Sequence, residues 1–218
     1  MPNIQLALDT SSLGEALAVA EKAADLVDSW EAGTVLCLTA GLQVIRDIKH
    51  LDPEKPVVAD IRIGRAGRLF SSLALSHGAD VVTMLAEAPN SVILEAIESA
   101  HAAGGRIELE LPFGASEELI RSSVATGADG IIVHQRSGSD FRVDSWLQTT
   151  LSMLTDMKGR FAISLAGGLN AESIAQLNPA WAIDTLVVGS EVTKSTDPRA
   201  MLREIRSALP PQRLGQTQ

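Results

Sequence analysis

The chain has 218 residues, 45% of them hydrophobic, and a net charge of −9, with its 18 Lys and Arg spread out rather than gathered in a run. That balance fits one globular domain and argues against a nucleic-acid partner, because neutralising phosphates takes concentrated cations. The single cysteine, Cys37, excludes an internal disulfide and a thiolate metal cluster. It lies between Leu36 and Leu38 and reads as a buried structural thiol. MPNIQLALDT lacks the basic and apolar regions of a secretory leader, and no apolar run approaches a membrane span. The expectation is a soluble cytoplasmic protein with neither membrane nor nucleic acid as partner.

Short apolar runs alternate with amphipathic segments along the chain. Ile4–Thr10 (IQLALDT) reads as a strand, with Ser12 placed to cap the helix that follows over LGEALAVAEKAADL. Ser29–Leu36 (SWEAGTVL) reads as the second strand, before a helix over GLQVIRDIKHL. Pro56–Ile63 is the third, leading into GRAGRLFSSLALSHG, where Gly78 suits a helix C-terminus. Ala79–Ala86, Arg106–Leu111, Asp129–Gln135, Arg160–Ala166 and Asp184–Val188 continue the series, each with a helical segment behind it. The last of these helices is DPRAMLREIRSAL, and PPQRLGQTQ after Leu209 reads as a disordered tail. Most strands are too apolar for a sheet wet on one side, so helices must cover a parallel sheet. Eight units close as a single-domain (β/α)8 TIM barrel over residues 1–209, near the lower size limit of that fold. A doubly wound open sheet is the alternative, but no G-x-G-x-x-G follows the first strand.

In such a barrel, chemistry sits at the C-terminal ends of the strands. The polar residues of that layer are Asp9, Glu31, Asp60, Arg62, Glu110 and His134, with Gly167–Gly168 and Gly189–Ser190. Asp9 is equally placed to cap the next helix. Asp60 and Arg62 are two apart and so share a face, and Glu31 brings a second carboxylate from the neighbouring strand. Two carboxylates in that layer form a hard-cation site of the kind Mg2+ accepts. Glu108 and Glu110 also share a face, with Glu110 nearer the strand end. His134 is the histidine at a strand end, suited to proton transfer near neutral pH. His50, His77 and His101 fall near helix C-termini, where imidazolium is mildly favoured. Glycines in LAGGLN and VVGSEV open the loops after strands seven and eight, where barrels frequently hold a phosphate.

The order ALDT, WEAGT, VVADIRIGRAG, IELEL, IIVHQRSG, SLAGGL and VVGSEVTKSTDP resembles the orotidine 5′-monophosphate decarboxylase superfamily. Within it, the chain is most similar to the branch of 3-keto-L-gulonate-6-phosphate decarboxylase and 3-hexulose-6-phosphate synthase. The resemblance implies a homodimer of (β/α)8 barrels with active sites at the interface. It implies Mg2+ on Glu31 and Asp60, an enediolate intermediate, Asp9 and Glu110 in the site, His134 in proton delivery, and Gly168, Gly189 and Ser190 around a substrate phosphate.

This sequence departs from the superfamily's Asp-x-Lys-x-x-Asp, reading Asp60, Arg62 and Arg65. Arginine stays charged and is a poor proton donor, and Arg65 reverses the sign of a residue the family directs at the partner subunit. An arginine of the decarboxylase aligns with Ser137, with Arg136 beside it as the substitute. The expected function is a Mg2+-dependent lyase of a phosphorylated keto sugar or sugar acid, in its decarboxylase form. Formaldehyde addition to ribulose 5-phosphate and non-catalytic sugar-phosphate binding are the alternatives.

Overall fold

The computed structural model describes residues 1–135 and 142–209. Its eight strands are β1 (Asn3–Leu8), β2 (Ser29–Ala32), β3 (Val57–Ile63), β4 (Val81–Leu85), β5 (Arg106–Leu111), β6 (Gly130–His134), β7 (Ala162–Ala166) and β8 (Thr185–Val188). All neighbouring pairs are parallel and β8 pairs with β1, so the sheet closes into a barrel in chain order. The (β/α)8 fold read from the sequence is therefore the fold of the protein. The tail from Pro210 onward lies outside the described residues.

Period-two alternation explains why both faces of the strands are apolar. In β1, Ile4, Leu6 and Leu8 are fully buried beneath the helices, while Gln5 and Ala7 turn into the barrel. Ala7, Ile132, Ala166 and Val187 form a small apolar plug in the interior, separate from the main core between strands and helices. The surrounding helices are α1 (Leu13–Ala23), α2 (Thr34–Ala40), α3 (Gln43–Leu51), α4 (Gly67–Ser76) and α5 (Asn90–Ala102). They continue with α6 (Glu117–Ala125), α7 (Ser145–Asp156), α8 (Ala171–Ala175), α9 (Ser190–Thr193) and α10 (Pro198–Ser207). Ser12 caps α1 through the Glu15 amide, as the sequence indicates.

The second strand is shorter than its apolar run. The sequence pattern predicts extension throughout Ser29–Leu36, yet β2 ends at Ala32 and Thr34 begins α2. The cause is local: Gly33 is extended and serves as the N-cap, and Asp9 Oδ1 accepts from the Val35 amide at 2.8 Å. Leu36 and Cys37 turn inward while Val35 and Leu38 are exposed, which is helical rather than strand alternation. Burial pushes the Cys37 thiol up to about 12, so it is an inert structural thiol at neutral pH.

At the N-terminal face of the barrel one device recurs four times. Asp28, Asp80, Asp129 and Asp184 each stand just before an even-numbered strand and accept from a backbone N–H in the first two residues of the preceding odd strand. The donors are Ile4, Val57, Ile107 and Ile163, at 2.7 to 2.9 Å. Each carboxylate also meets a cationic or ionisable partner: Arg206, Lys49, His101 and Lys158, respectively. These aspartates satisfy amides the ladder leaves open and clamp consecutive strands at the end opposite the site. At α4, Gly67 permits tight packing, since a Cβ there would stand 2.1 Å from the Val92 carbonyl of α5.

Candidate active site at the C-terminal end of the barrel

Strand β3 breaks its register where the chemistry begins. Ala59 pairs with Val82 and Ile63 with Met84, so four residues of β3 advance against two of β4. The extra length is a bulge holding Asp60, Ile61 and Arg62, and Arg62 has a left-handed φ of 46°. A non-glycine residue there costs on the order of 1–2 kcal/mol, so its surroundings must hold it. The Arg62 amide, displaced from the ladder, donates to Thr83 Oγ1 of β4 at 3.1 Å. Thr83 in turn donates to Asp60 Oδ1 at 2.8 Å, and Thr34 Oγ1 donates to Asp60 Oδ2 at 2.7 Å. Asp60 and Arg62 converge as the two-residue spacing suggested, but through the bulge rather than a regular strand face.

A chain of charge runs on from this point. Arg62 Nε lies 3.4 Å from Asp60 Oδ2 and 3.2 Å from Glu110 Oε2, and Glu110 Oε1 lies 3.4 Å from His134 Nδ1. Burial opposes charge on Arg62, but Asp60 and Glu110 outweigh it and raise its pKa, so it is a fixed cation. Burial raises the Glu110 carboxyl above its ordinary value, with Arg62 partly offsetting it. His134 is lowered by burial and then by the Arg62 charge, which favours neutral imidazole. With Nδ1 facing Glu110, Nε2 is the nitrogen directed elsewhere.

Glu31 lies on β2 beside this row. Its Oε2 accepts from Gln5 Nε2 at 2.5 Å, and Gln5 Oε1 accepts from Ser29 Oγ. Burial first, then the Asp60 charge, push Glu31 well above the carboxylate range. Two carboxylates that oppose one another fit a hard divalent cation, which takes one or two of them plus waters and substrate oxygens. No group of three or more His, Cys, Asp or Glu placed to hold a metal occurs among the described residues. As donors, Glu31 and Asp60 are of the kind that an ion such as Mg2+ accepts, since it takes few protein ligands.

The other residues singled out in the sequence divide. Asp9 is exposed and caps α2, not the helix that follows it; a Cβ on Gly33 would stand 2.6 Å from its Oδ1. Gly167 and Gly168 have φ of 99° and 67° in the β7–α8 turn, and a Cβ on Gly167 would meet the Gln135 carbonyl at 2.4 Å. Gly189 and Ser190 open α9, with Gly189 facing Ala7 at ordinary contact distance. Arg65 is exposed in the turn after β3 and, among the described residues, joins no ion pair of the cluster. Arg136 lies outside the described residues. Glu108, inside the barrel below Glu110, accepts from Ser164 Oγ at 3.3 Å, and the missing side chain of Gly130 makes room for it.

Sequence reasoning missed Gln5, Thr34 and Thr83. Gln5 had a signal, since counting back by twos from Asp9 puts it inside the barrel. Thr83 had one too, as the sole polar residue of VVTML.

Comparison with known proteins agrees with this fold. The family described as orotidine 5′-phosphate decarboxylase / HUMPS matches residues 2–205. The 3-hexulose-6-phosphate synthase of Mycobacterium gastri is 31% identical over 206 residues, covering 94% of this chain and 99% of that one. The 3-keto-L-gulonate-6-phosphate decarboxylase UlaD of Escherichia coli is 26% identical over 212 residues, covering 96% and 97%. The crystal structure of a ligand complex of KGPDC from Streptococcus mutans superposes with a TM-score of 0.85 at 26% identity, over 95% of this chain and 97% of that one. The chain belongs to the orotidine 5′-phosphate decarboxylase / HUMPS family.

Proposed function

We propose that the protein is a Mg2+-dependent carbon–carbon lyase acting on a small phosphorylated keto sugar or sugar acid through an enediolate. The observation that carries this reading is the row Asp60–Arg62–Glu110–His134, with Glu31 beside it, at the mouth of a family barrel. Glu31 and Asp60 would hold the metal, which would supply Lewis-acid chemistry to substrate oxygens. Arg62 places a fixed positive charge where negative charge develops on the substrate. Neutral His134, oriented by Glu110, moves a proton at Nε2. The glycine loops after β7 and β8, with Ser190, take the phosphate through backbone N–H groups.

Relatives of both reaction types support the lyase class. On sequence alone, the additional cation at Arg65 argues for a substrate carboxylate, and hence for the decarboxylase. In the structure Arg65 joins no ion pair of that row among the described residues, which leaves the second form, aldol addition of formaldehyde to ribulose 5-phosphate, as the alternative. One set of incubations separates them: CO2 released from 3-keto-L-gulonate 6-phosphate identifies the first. Formaldehyde consumed with ribulose 5-phosphate identifies the second. Sugar phosphate bound by calorimetry without any turnover overturns both and leaves a binding protein.

The same reading includes a homodimer. Val35 and Leu38 of α2 and Leu69, Phe70 and Leu73 of α4 are large exposed apolar side chains on helices flanking β3. Arg65, exposed in the turn between β3 and α4, is the residue this reading directs at the partner's site. Sedimentation showing a monomer at micromolar concentration would remove this part of the reading.

A further inference from the structure

We infer that Thr83 of β4 is a positioning residue of the site: its hydroxyl sets both the Asp60 carboxylate and the strained backbone of Arg62. The inference rests on the reading above for the roles of Asp60 and Arg62, but its structural half stands without it.

Thr83 is buried in an otherwise apolar strand, with 1% of its surface exposed. A threonine hydroxyl has one hydrogen to give and lone pairs to accept with, and here both capacities are used. The hydrogen goes to Asp60 Oδ1 at 2.8 Å, and the oxygen receives the Arg62 N–H at 3.1 Å. The two bonds fall on either side of the β3 bulge, at the point where backbone pairing with β4 is interrupted between Ala59 and Ile63. The side chain thus does what the ladder does elsewhere, giving the displaced amide of a residue at φ 46° a buried acceptor. It also fixes which carboxylate oxygen faces the rest of the site. With Oδ1 held by Thr83, Oδ2 is the oxygen presented to Thr34 and to Arg62 Nε. Loss of the hydroxyl frees Asp60 to rotate and leaves the Arg62 amide without its partner. Both groups at the reacting end then lose their geometry together, and misplacement on this scale costs rate steeply.

Thr83→Val keeps the shape and removes the hydroxyl; Thr83→Ser keeps the hydroxyl and removes a methyl. With thermal melting as the check on folding, three quantities are read on the full chain: exchange of the Arg62 amide by NMR, Mn2+ affinity, and kcat and KM. The expected result for T83V is Arg62 amide exchange at least tenfold faster, Mn2+ binding weakened at least fivefold, and kcat down at least tenfold. KM stays within threefold because the phosphate loops are untouched, and T83S stays within threefold of wild type throughout. The inference is overturned if T83V leaves amide exchange unchanged, or if T83S is as impaired as T83V, since packing rather than the hydroxyl would then be the cause. Absence of Mn2+ binding and turnover in the wild type would defeat the lyase reading instead, while amide exchange would still decide the role of Thr83.

Discussion

Arg62 Nε on β3 lies 3.2 Å from Glu110 Oε2 on β5, reaching across the intervening strand β4. The same nitrogen is 3.4 Å from Asp60 Oδ2, so one cation separates two buried carboxylates. Arg62→Gln removes that cation and leaves them facing each other. Since Arg62 is partly exposed, the expected loss is about 1–2 kcal/mol. That is a fall in Tm of roughly 2–8 °C for a chain of this size, read by calorimetry. Turnover drops at least tenfold if the charge also serves the reaction. An unchanged Tm would mean solvent already screens the pair.

Glu108 provides a test of the interior that does not touch the reacting groups. Burial raises its carboxyl above the ordinary value. A raised folded-state pKa gives stability that is complete below the unfolded value and lost as pH rises through the folded one. Glu108→Gln, which keeps a partner for Ser164, therefore matches wild type near pH 4.5 and exceeds it at pH 8. The gain expected at the higher pH is about 1 kcal/mol, from removing a buried charge. Urea denaturation at the two pH values measures it, and equal differences at both would contradict the assignment.

The aspartate clamps at the opposite face predict a loss of stability alone. Asp80→Ala removes the acceptor for the Val57 amide and the partner of Lys49. An unsatisfied backbone group costs about 1–3 kcal/mol. A lower urea midpoint with kcat and KM unchanged is expected, because the clamp lies away from the strand ends that carry the site.

Gly33→Ala probes the packing between β2 and Asp9. Its Cβ would stand 2.6 Å from Asp9 Cβ and 2.8 Å from Asp9 Cα, a clash with backbone as well as side chain. Asp9 must move, α2 loses its cap at Val35, and Thr34 shifts from Asp60. Overpacking of this kind costs about 1–3 kcal/mol, and kcat/KM is expected to fall at least tenfold at temperatures where the variant is fully folded.

The barrel was legible because its strands carry apolar residues on both faces at period two, and its helices carry caps such as Ser12 and Asp197. Asp60, Glu110 and His134 were legible for the same reason, as polar residues at strand ends. α2 was not, because Val35 and Leu36 extend an apolar run, and its cap is supplied by Asp9, 26 positions earlier. The bond between Thr83 and the Arg62 amide was hidden as well. It depends on a bulge, and a bulge changes register without changing composition. Arg62 meeting Glu110 across β4 depends on curvature that spacing along one strand does not encode.

Solvent-proton exchange tests the proposed stabilisation of an enediolate on a phosphorylated ketose without presuming a product. Ribulose 5-phosphate in D2O with enzyme and Mg2+ should take up deuterium at C1, as followed by proton NMR. Exchange should cease with chelator and with Asp60→Asn. Binding of the sugar phosphate without any deuterium uptake, with or without Mg2+, would contradict the account.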